Sequence, residues 1–288
     1  MICVGSSVAV STAIVDAPLF TVQAVRYTLA AVLLVVVARA TGRRLPRPRG
    51  LEWAWLCGVA LTGLVLFNVG VVRGVAHAEP AVIGVAVATV PLVLAVAGPL
   101  AARRRPATAV VVGAAVVTVG AALVSGGGRT DLVGLGWAAV VLGGEVAFTL
   151  LAVPVLGRLG PWAVALHTVW IAAVVLAVLG VAVDGPDAAA TLDAGDLLAA
   201  AHLAIVVTAL AFVLWYTAVS RIGADRAGLF TGVVPVTAAV GGMLLGAPVP
   251  AAMVWAGMAL VAVGLIIGLG AERRRPPLRE SVQIGERM

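Results

Sequence analysis

The chain has 288 residues, of which 62% are hydrophobic and only 11% are charged, and its formal net charge is +6. Soluble domains are about 45–50% apolar and about 25% charged, and much of the surface of any soluble globule must face water. A soluble globular protein is therefore excluded, and lipid is the expected solvent around most of the chain. The positive charge can also indicate nucleic-acid binding. Here the arginines lie in short segments beside apolar stretches, as membrane anchors do, so no nucleic acid is expected as a partner.

Apolar stretches near the 20-residue length of a membrane-spanning helix recur along the whole chain. Charged residues, prolines and glycine clusters separate them. The first stretch is short, because Asp16 follows only fifteen residues. We expect either that its helix is truncated or that the true start of the chain lies upstream. The sequence thus predicts an all-α integral membrane protein with ten spans, at 1–15, 19–38, 53–72, 79–101, 107–125, 132–154, 161–183, 197–219, 226–246 and 251–270.

The arginines are distributed unevenly between the two sides of the predicted bundle. If ten spans alternate in direction, sixteen of the 19 basic residues, all arginine, fall on one side and only Arg73 and Arg129 on the other, with Arg26 inside the second span. Cytoplasmic loops of membrane proteins are enriched in arginine and lysine. We therefore expect a multi-pass protein of the cytoplasmic (inner) cell membrane with both termini in the cytoplasm.

The chain also matches itself when it is shifted by 144 residues. The matching pairs include two prolines as well as glycines, which makes chance improbable in a chain rich in glycine, alanine and valine. The offset predicts a first five-helix repeat at 1–125, a second at 132–270 and a basic cytoplasmic tail at 271–288. The pairs are Gly84 with Gly228, Pro91 with Pro235, Gly98 with Gly242, Pro106 with Pro250, Gly113 with Gly257 and Gly120 with Gly264.

Because each unit has an odd number of spans, the second copy is inverted relative to the first. Inverted repeats are the architecture of many secondary transporters, in which the substrate binds between the halves. The chain has no lysine and hence no Walker-type phosphate-binding motif, so ATP hydrolysis is not expected. The alternatives are a membrane-embedded enzyme, although no metalloprotease or serine-hydrolase motif occurs, and a non-transporting membrane subunit. We expect no enzyme activity, cofactor or metal.

The chain resembles the EamA-type branch of the drug/metabolite transporter superfamily over roughly residues 3–270. The resemblance implies ten helices in two repeats around a central cavity through which metabolites or drugs move, and hence a permease or efflux protein. Family members usually carry several more residues before the first of these motifs. The likeness rests on Gly5–Val8, Pro18–Phe20, Ala24–Tyr27, Ala81–Leu92, Gly223–Ala227 and Val234–Val236, and on Pro106 and Pro250, each followed by two glycines seven residues apart.

Two charged residues inside predicted spans are the first candidates for a functional site. A charge in the bilayer core costs about 2.5–3.5 kcal/mol on insertion scales, so it usually has a partner or a function. Glu145 lies in the sixth span, where a carboxyl group can exchange protons near neutral pH or bind a cationic group of a substrate; an ion pair with Arg26 is the structural alternative. Arg26 could bind a substrate carboxylate as a fork, extend to the interface, or be architectural.

The remaining candidates are polar, aromatic or helix-kinking residues in spans that line the cavity in the family. An asparagine can bond a polar substrate, an aromatic ring can bind a ring or a cation, and a mid-span proline frees backbone carbonyls. Helix packing and interfacial anchoring explain the same residues equally well. They are Asn68, Trp215, Tyr216, Ser6, Ser7 and Thr89 as substrate or proton ligands, and Pro91 and Pro235 as kinks in cavity-lining spans.

Glycines spaced four apart, as in Gly242 with Gly246 and Gly264 with Gly268, let helices approach closely in lipid. Most such glycines pack within one chain, but the spacing also allows a homodimer through the fifth and tenth spans. The expected partners are therefore a small-molecule substrate, the lipid bilayer and a second copy of the chain.

Overall fold

A computed structural model describes residues 17–244 and 249–270, and this part of the chain is helical. Nine of its helices are long and apolar enough to cross a membrane. The predicted first span and the basic tail lie outside the described residues, so α1 corresponds to the second predicted span. The helices are α1 Leu19–Ala40, α2 Glu52–Gly74, α3 Pro80–Ala101, α4 Thr108–Ser125, α5 Leu132–Leu150, α6 Val153–Asp184, α7 Ala194–Ile222, α8 Ala224–Leu244 and α9 Ala252–Gly270.

Helix ends follow local capping chemistry. Asp131 caps α5 because its carboxylate accepts a hydrogen bond from the amide of Gly134 at 2.7 Å. Asp193 and Asp196 form a capping box at the start of α7, in which each side chain accepts from the amide of the other residue. These caps satisfy amides that have no partner inside the helix, and they fix where the chain enters the bundle.

The sixth helix shows where the predicted boundaries were wrong. Residues 155–160, expected to connect two spans, are helical, and α6 begins at Val153 instead of residue 161. The helix bends at Gly160, whose φ of 74° lies in the left-handed region that glycine adopts without strain. Pro161 starts the straight part, since the first position of a helix needs no amide donor. Hydropathy found the span, but it could not detect a bent helical entry.

Wide turns interrupt α2 and α7 at related positions. The helix widens to π-helical geometry at Ala60–Leu66 in α2 and at Leu203–Leu210 in α7. Adding the offset of 144 to the first segment gives residues 204–210, which lie within the second. Such π-helical segments often occur at functional sites.

Breaks in α3 and α8 also follow the offset of 144. The first part of α3 ends at Ala88 and the second begins at Val90, so Thr89 marks the break. In α8 a 3-10 turn at Phe230–Gly232 precedes the straight part that begins at Val233, the counterpart of Thr89. Pro91 and Pro235 lie just after these breaks, as expected because proline cannot donate to the preceding turn.

Glycines form the contact between α4 and α9. A Cβ atom added to Gly113 would lie 2.7 Å from the carbonyl oxygen of Gly264, and one added to Gly120 would lie 2.6 Å from that of Gly257. The contact is reciprocal, since each glycine meets the offset counterpart of the other. These two glycine surfaces are therefore buried against each other within one chain. The homodimer stays a prediction.

A larger apolar core, the main core, lies between the helices of the bundle. Its buried side chains come from α1, α2, α3, α5, α6, α7 and α8, and the largest of them include Tyr27, Leu56, Leu64, Leu176 and Tyr216. Both tyrosines bring a hydroxyl group into this core, so the helices that bury the most apolar surface also hold polar groups. The candidate site lies among these helices.

Candidate functional site

Three aromatic rings from α5 and α7 pack together inside the bundle. The ring of Phe148 lies 4.9 Å from that of Phe212 and 5.2 Å from that of Tyr216, centroid to centroid. The backbone of α2 closes over Phe148 at Gly63, where an added Cβ would lie 2.5 Å from the Phe148 Cβ. We call Phe148, Phe212 and Tyr216 the aromatic layer. Only Tyr216 among them was predicted from the sequence, because nothing in the local pattern separates an interior phenylalanine from one that faces lipid.

Polar groups adjoin the aromatic layer. The indole nitrogen of Trp215 donates to the hydroxyl of Thr149 at 3.2 Å, which joins α7 to α5. The Tyr216 hydroxyl is completely buried and makes no hydrogen bond of normal geometry in the described part of the chain. Its polar neighbours are Thr168, whose own hydroxyl donates to backbone carbonyls of α6, and Glu145. A buried hydroxyl without a partner can bond an incoming ligand.

Glu145 lies in the interior of the bundle beside this layer. The residue before it, Gly144, packs against the carbonyl of Thr62 and the side chain of Phe67, in the middle of α2. The side chain of Glu145 is half-buried. Its carboxylate makes neither an ion pair nor a hydrogen bond with any residue of the described ranges. Among the described residues, therefore, no group neutralises this carboxylate.

Arg26 of α1 is held by neutral groups. Its Nε donates to the hydroxyl of Thr208 at 2.9 Å and its Nη1 donates to the amide oxygen of Gln23 at 3.2 Å. The ion pair with Glu145 that the sequence allowed is not formed. No carboxylate of the described residues compensates this guanidinium, and Thr208, from the wide segment of α7, was not anticipated as its partner.

Asn68 of α2 holds α1 in place. Its side-chain nitrogen donates to the hydroxyl of Tyr27 at 3.0 Å and to the backbone carbonyl of Leu64 in the wide segment of α2. This is the helix–helix hydrogen bond that the sequence offered as the structural alternative. Tyr27 was named only as part of a motif, and its 2% exposure shows that it belongs to the core beside the site.

Glu145 and the partner of Arg26 lie at similar distances from the aromatic layer along their helices. Thr208, which binds Arg26, precedes Phe212 by four residues, about 6 Å along α7. Glu145 precedes Phe148 by three residues, about 4.5 Å along α5. Successive spans alternate in direction, so α5 and α7 run the same way, and Phe148 packs on Phe212. Glu145 and the Thr208 partner of Arg26 thus each lie about one helical turn from the aromatic layer along their own helices.

The remaining site residues predicted from the sequence do not lie in the aromatic layer. Ser6 and Ser7 lie outside the described residues. The hydroxyl of Thr89 donates to the carbonyls of Val85 and Ala86 in its own helix, so it serves the break in α3. Pro91 and Pro235 lie in α3 and α8, whose buried residues belong partly to the main core and partly to smaller clusters with α4 and α9. The structure thus brings Glu145, Trp215 and Tyr216 together and places Arg26 with Asn68 on the adjoining side.

Fold and site together define a multi-pass membrane protein with an interior polar and aromatic site. The chain belongs to the EamA-like transporter family, which matches residues 1–126 and again residues 132–269. It is 26% identical over 262 residues to the uncharacterized transporter YetK of Bacillus subtilis (strain 168), covering 86% of this chain and 78% of that protein. A protein of known crystal structure shares the fold, with a TM-score of 0.80 at 19% identity over 95% of each chain. The resemblance seen in the sequence is confirmed, and the protein is a membrane transporter.

Proposed function

We propose that the protein is a secondary transporter that moves small amphipathic molecules bearing a cationic amine across the cytoplasmic membrane, and that Glu145 binds the amine or a proton in alternation. The observation that carries this proposal is the carboxylate beside the aromatic layer, which no residue of the described ranges pairs with. An ammonium group can bind this carboxylate and lie over the rings of Phe148, Phe212 or Tyr216, where cation–π attraction is strong in a site with little water. The Tyr216 hydroxyl offers a further hydrogen bond.

Competition between a proton and a cation at one carboxylate couples their movements. A charged carboxylate in the bilayer core is costly unless a cation accompanies it. A transporter that changes access only when Glu145 is neutralised would therefore exchange one proton for one cationic molecule. A proton gradient directed inward would then drive efflux. Arg26, which retains free N–H donors, is available to bind a carboxylate or other acceptor on the same molecule.

Three symmetry relations support alternating access between two inverted five-helix repeats. The π-helical segments of α2 and α7 follow the offset of 144, and so do the breaks in α3 and α8. The family matches the chain twice, once in each half. Exchange of conformations between two such halves converts a site open on one side into a site open on the other. Ten spans, with both termini in the cytoplasm, complete this arrangement.

Ligand binding is tested first with the purified protein in detergent. Its melting temperature is measured in the presence of amino acids, sugars, nucleosides and cationic aromatic drugs, at about pH 6 and about pH 8. A ligand that binds only the folded protein raises this temperature. We expect cationic aromatic compounds to stabilise the protein, and to do so more strongly at the higher pH, where fewer protons compete. Stabilisation by sugars alone would contradict the proposed substrate class.

Transport is tested in proteoliposomes with a pH gradient, and the probe is a cationic aromatic amine that stabilises the purified protein. The variant Glu145→Gln should abolish gradient-driven movement. The matched control is Glu79→Gln, which makes the same change in an exposed residue paired with Arg129 at 2.9 Å outside the membrane spans. The control should transport at the wild-type rate. Gradient-driven transport that survives in Glu145→Gln would refute the role of this carboxylate, and no flux in folded wild-type protein with any panel compound would refute secondary transport.

A further inference from the structure

The connection between α1 and α2 is fixed on the surface of α6. We call residues 41–51 the basic strap. The amide of Arg43 donates to the carbonyl of Ala38 at 2.8 Å, and the Arg158 guanidinium donates to the carbonyl of Arg47 at 3.1 Å. Leu45 packs against the main core. The strap thus has a defined course although it forms no helix.

His167 of α6 holds the middle of the strap. Its Nδ1 accepts a hydrogen bond from the indole of Trp170 at 2.9 Å, so its Nε2 carries the hydrogen and donates to the carbonyl of Pro46 at 3.3 Å. The ring also packs edge-on against Trp53, with centroids 5.7 Å apart. The strap is therefore attached at its middle as well as at its ends.

The strap displays positive charge that nothing in the described protein neutralises. Arg43, Arg44 and Arg47 are exposed, and none of them forms an ion pair within the described ranges. The adjacent acid, Glu52, is already occupied by Arg158 and by the amide of Arg49. Three guanidinium groups are therefore available to an anion.

The position of these arginines is at the membrane surface. The strap joins the ends of two apolar spans, α1 and α2. Trp53 and Trp170 beside it are 38% and 36% exposed, as is typical of tryptophans at the level of lipid headgroups. The guanidinium of Arg43 lies over the ring of Trp162, 4.6 Å from its centroid. This stacking covers one face of the guanidinium and leaves its N–H edges open.

We propose that the basic strap is a binding site for the phosphate headgroup of an anionic membrane lipid. Arginine binds phosphate through two parallel N–H bonds, and a guanidinium that is already stacked loses little freedom on binding. Because the strap backbone is attached at Arg47, Pro46 and Arg43, the three side chains start from fixed positions. A lipid bound there bridges α1, α2 and α6 and strengthens their contact. This inference is independent of the substrate proposed for the interior site.

The connection between α3 and α4 supplies a matched control. It carries Arg103, Arg104 and Arg105, which are equally exposed. Their side chains have no hydrogen bond, ion pair or ring contact in the part of the chain that the structure covers. Three arginines are thus available with the same charge, at the same end of the bundle. Their backbone amides bond to the end of α3, but no side chain of another helix holds this connection as Arg158 and His167 hold the strap, and no tryptophan stacks on a guanidinium.

The test compares lipid binding by the full chain in detergent, using native mass spectrometry and melting temperature with phosphatidylglycerol, phosphatidylcholine or inorganic phosphate. Of these three probes, we expect only phosphatidylglycerol to bind tightly and to raise the melting temperature. Since glutamine cannot form the charge-assisted hydrogen bonds that arginine makes to a phosphate, changing Arg43, Arg44 and Arg47 together to glutamine should weaken binding by more than tenfold. The same changes at Arg103, Arg104 and Arg105 should weaken it less than threefold.

Three results would overturn the proposal. The first is an equal loss of lipid binding in the two triple variants, which would show general charge attraction. The second is unchanged lipid binding in the strap variant. The third is a rise in melting temperature with inorganic phosphate equal to that with phosphatidylglycerol. If the triple strap variant does not fold, the single variant Arg43→Gln is decisive. It should melt like the wild type without lipid and bind phosphatidylglycerol about fivefold more weakly. Wild-type affinity in Arg43→Gln would also overturn the site.

Discussion

Replacing Gly120 by alanine should separate α4 from α9. The new Cβ atom would lie 2.6 Å from the carbonyl oxygen of Gly257 and 2.8 Å from the amide nitrogen of Val261. Both obstacles are backbone atoms, which can move only if one helix shifts by about half an ångström or more. Overpacking of this kind costs about 1–3 kcal/mol, and backbone obstruction places the cost in the upper half of that range. Alanine in place of glycine returns roughly 1 kcal/mol of helix propensity, so we expect a net loss of about 1–2 kcal/mol.

Gly136 on α5 provides the comparison. It lies within its helix as Gly120 does, but an added Cβ would have no atom within 4 Å. Gly136→Ala should therefore stabilise the protein slightly, by up to about 1 kcal/mol through propensity alone. Both variants can be measured by unfolding the detergent-solubilised protein with increasing mole fractions of sodium dodecyl sulfate. Equal shifts in the two variants, or stabilisation by Gly120→Ala, would refute the close approach of α4 and α9.

Two further changes test the polar contacts. Thr208→Val keeps the shape of the side chain but removes the acceptor of Arg26, so stability should fall by about 1–3 kcal/mol because a charged donor loses its partner; Thr208→Ser should restore most of it, and equal losses in the two variants would argue against the bond. In Asp131, the hydrogen bond from Gly134 and then the contact with His77 lower the pKa of the carboxyl group. A carboxyl group whose pKa is lower in the folded than in the unfolded state stabilises the protein at pH values above its unfolded-state pKa. This stabilisation is lost as the pH falls through the folded-state pKa. Asp131→Ala should therefore lower the melting temperature at pH 7 and have less effect below about pH 4; an effect that grows with acidity would contradict this sign.

The spans were predictable because the bilayer imposes a local rule. Every backbone group in lipid must be bonded within its own helix, and about twenty apolar residues are needed to cross. The predicted span 107–125 is therefore found as Thr108–Ser125, and 251–270 as Ala252–Gly270. Where a helix continues past the apolar stretch, as α6 does before Pro161, the rule gives no signal. Capping and glycine conformation determine such ends.

The sequence also indicated which residues were exceptional without indicating what they contact. Glu145 and Arg26 were recognisable because charge is rare in an apolar span. Whether they pair with each other depends on side-chain direction and on helix packing. The structure separates them, since Arg26 is held by Thr208, 182 residues away in the chain, and Glu145 is left beside three aromatic rings.

By itself, the sequence determined the solvent, the helical class, the family and most of the spans, because these depend on composition and on short-range periodicity. It also revealed the offset of 144, since glycine and proline are tied to close approach and to helix breaks. Only the tertiary structure decided that Gly113 and Gly120 meet the offset counterparts of each other, and that Phe148 and Phe212 face inward. These contacts form between segments more than 60 residues apart. The local rules of composition and periodicity do not specify them, because many alternative sequences would satisfy the same rules.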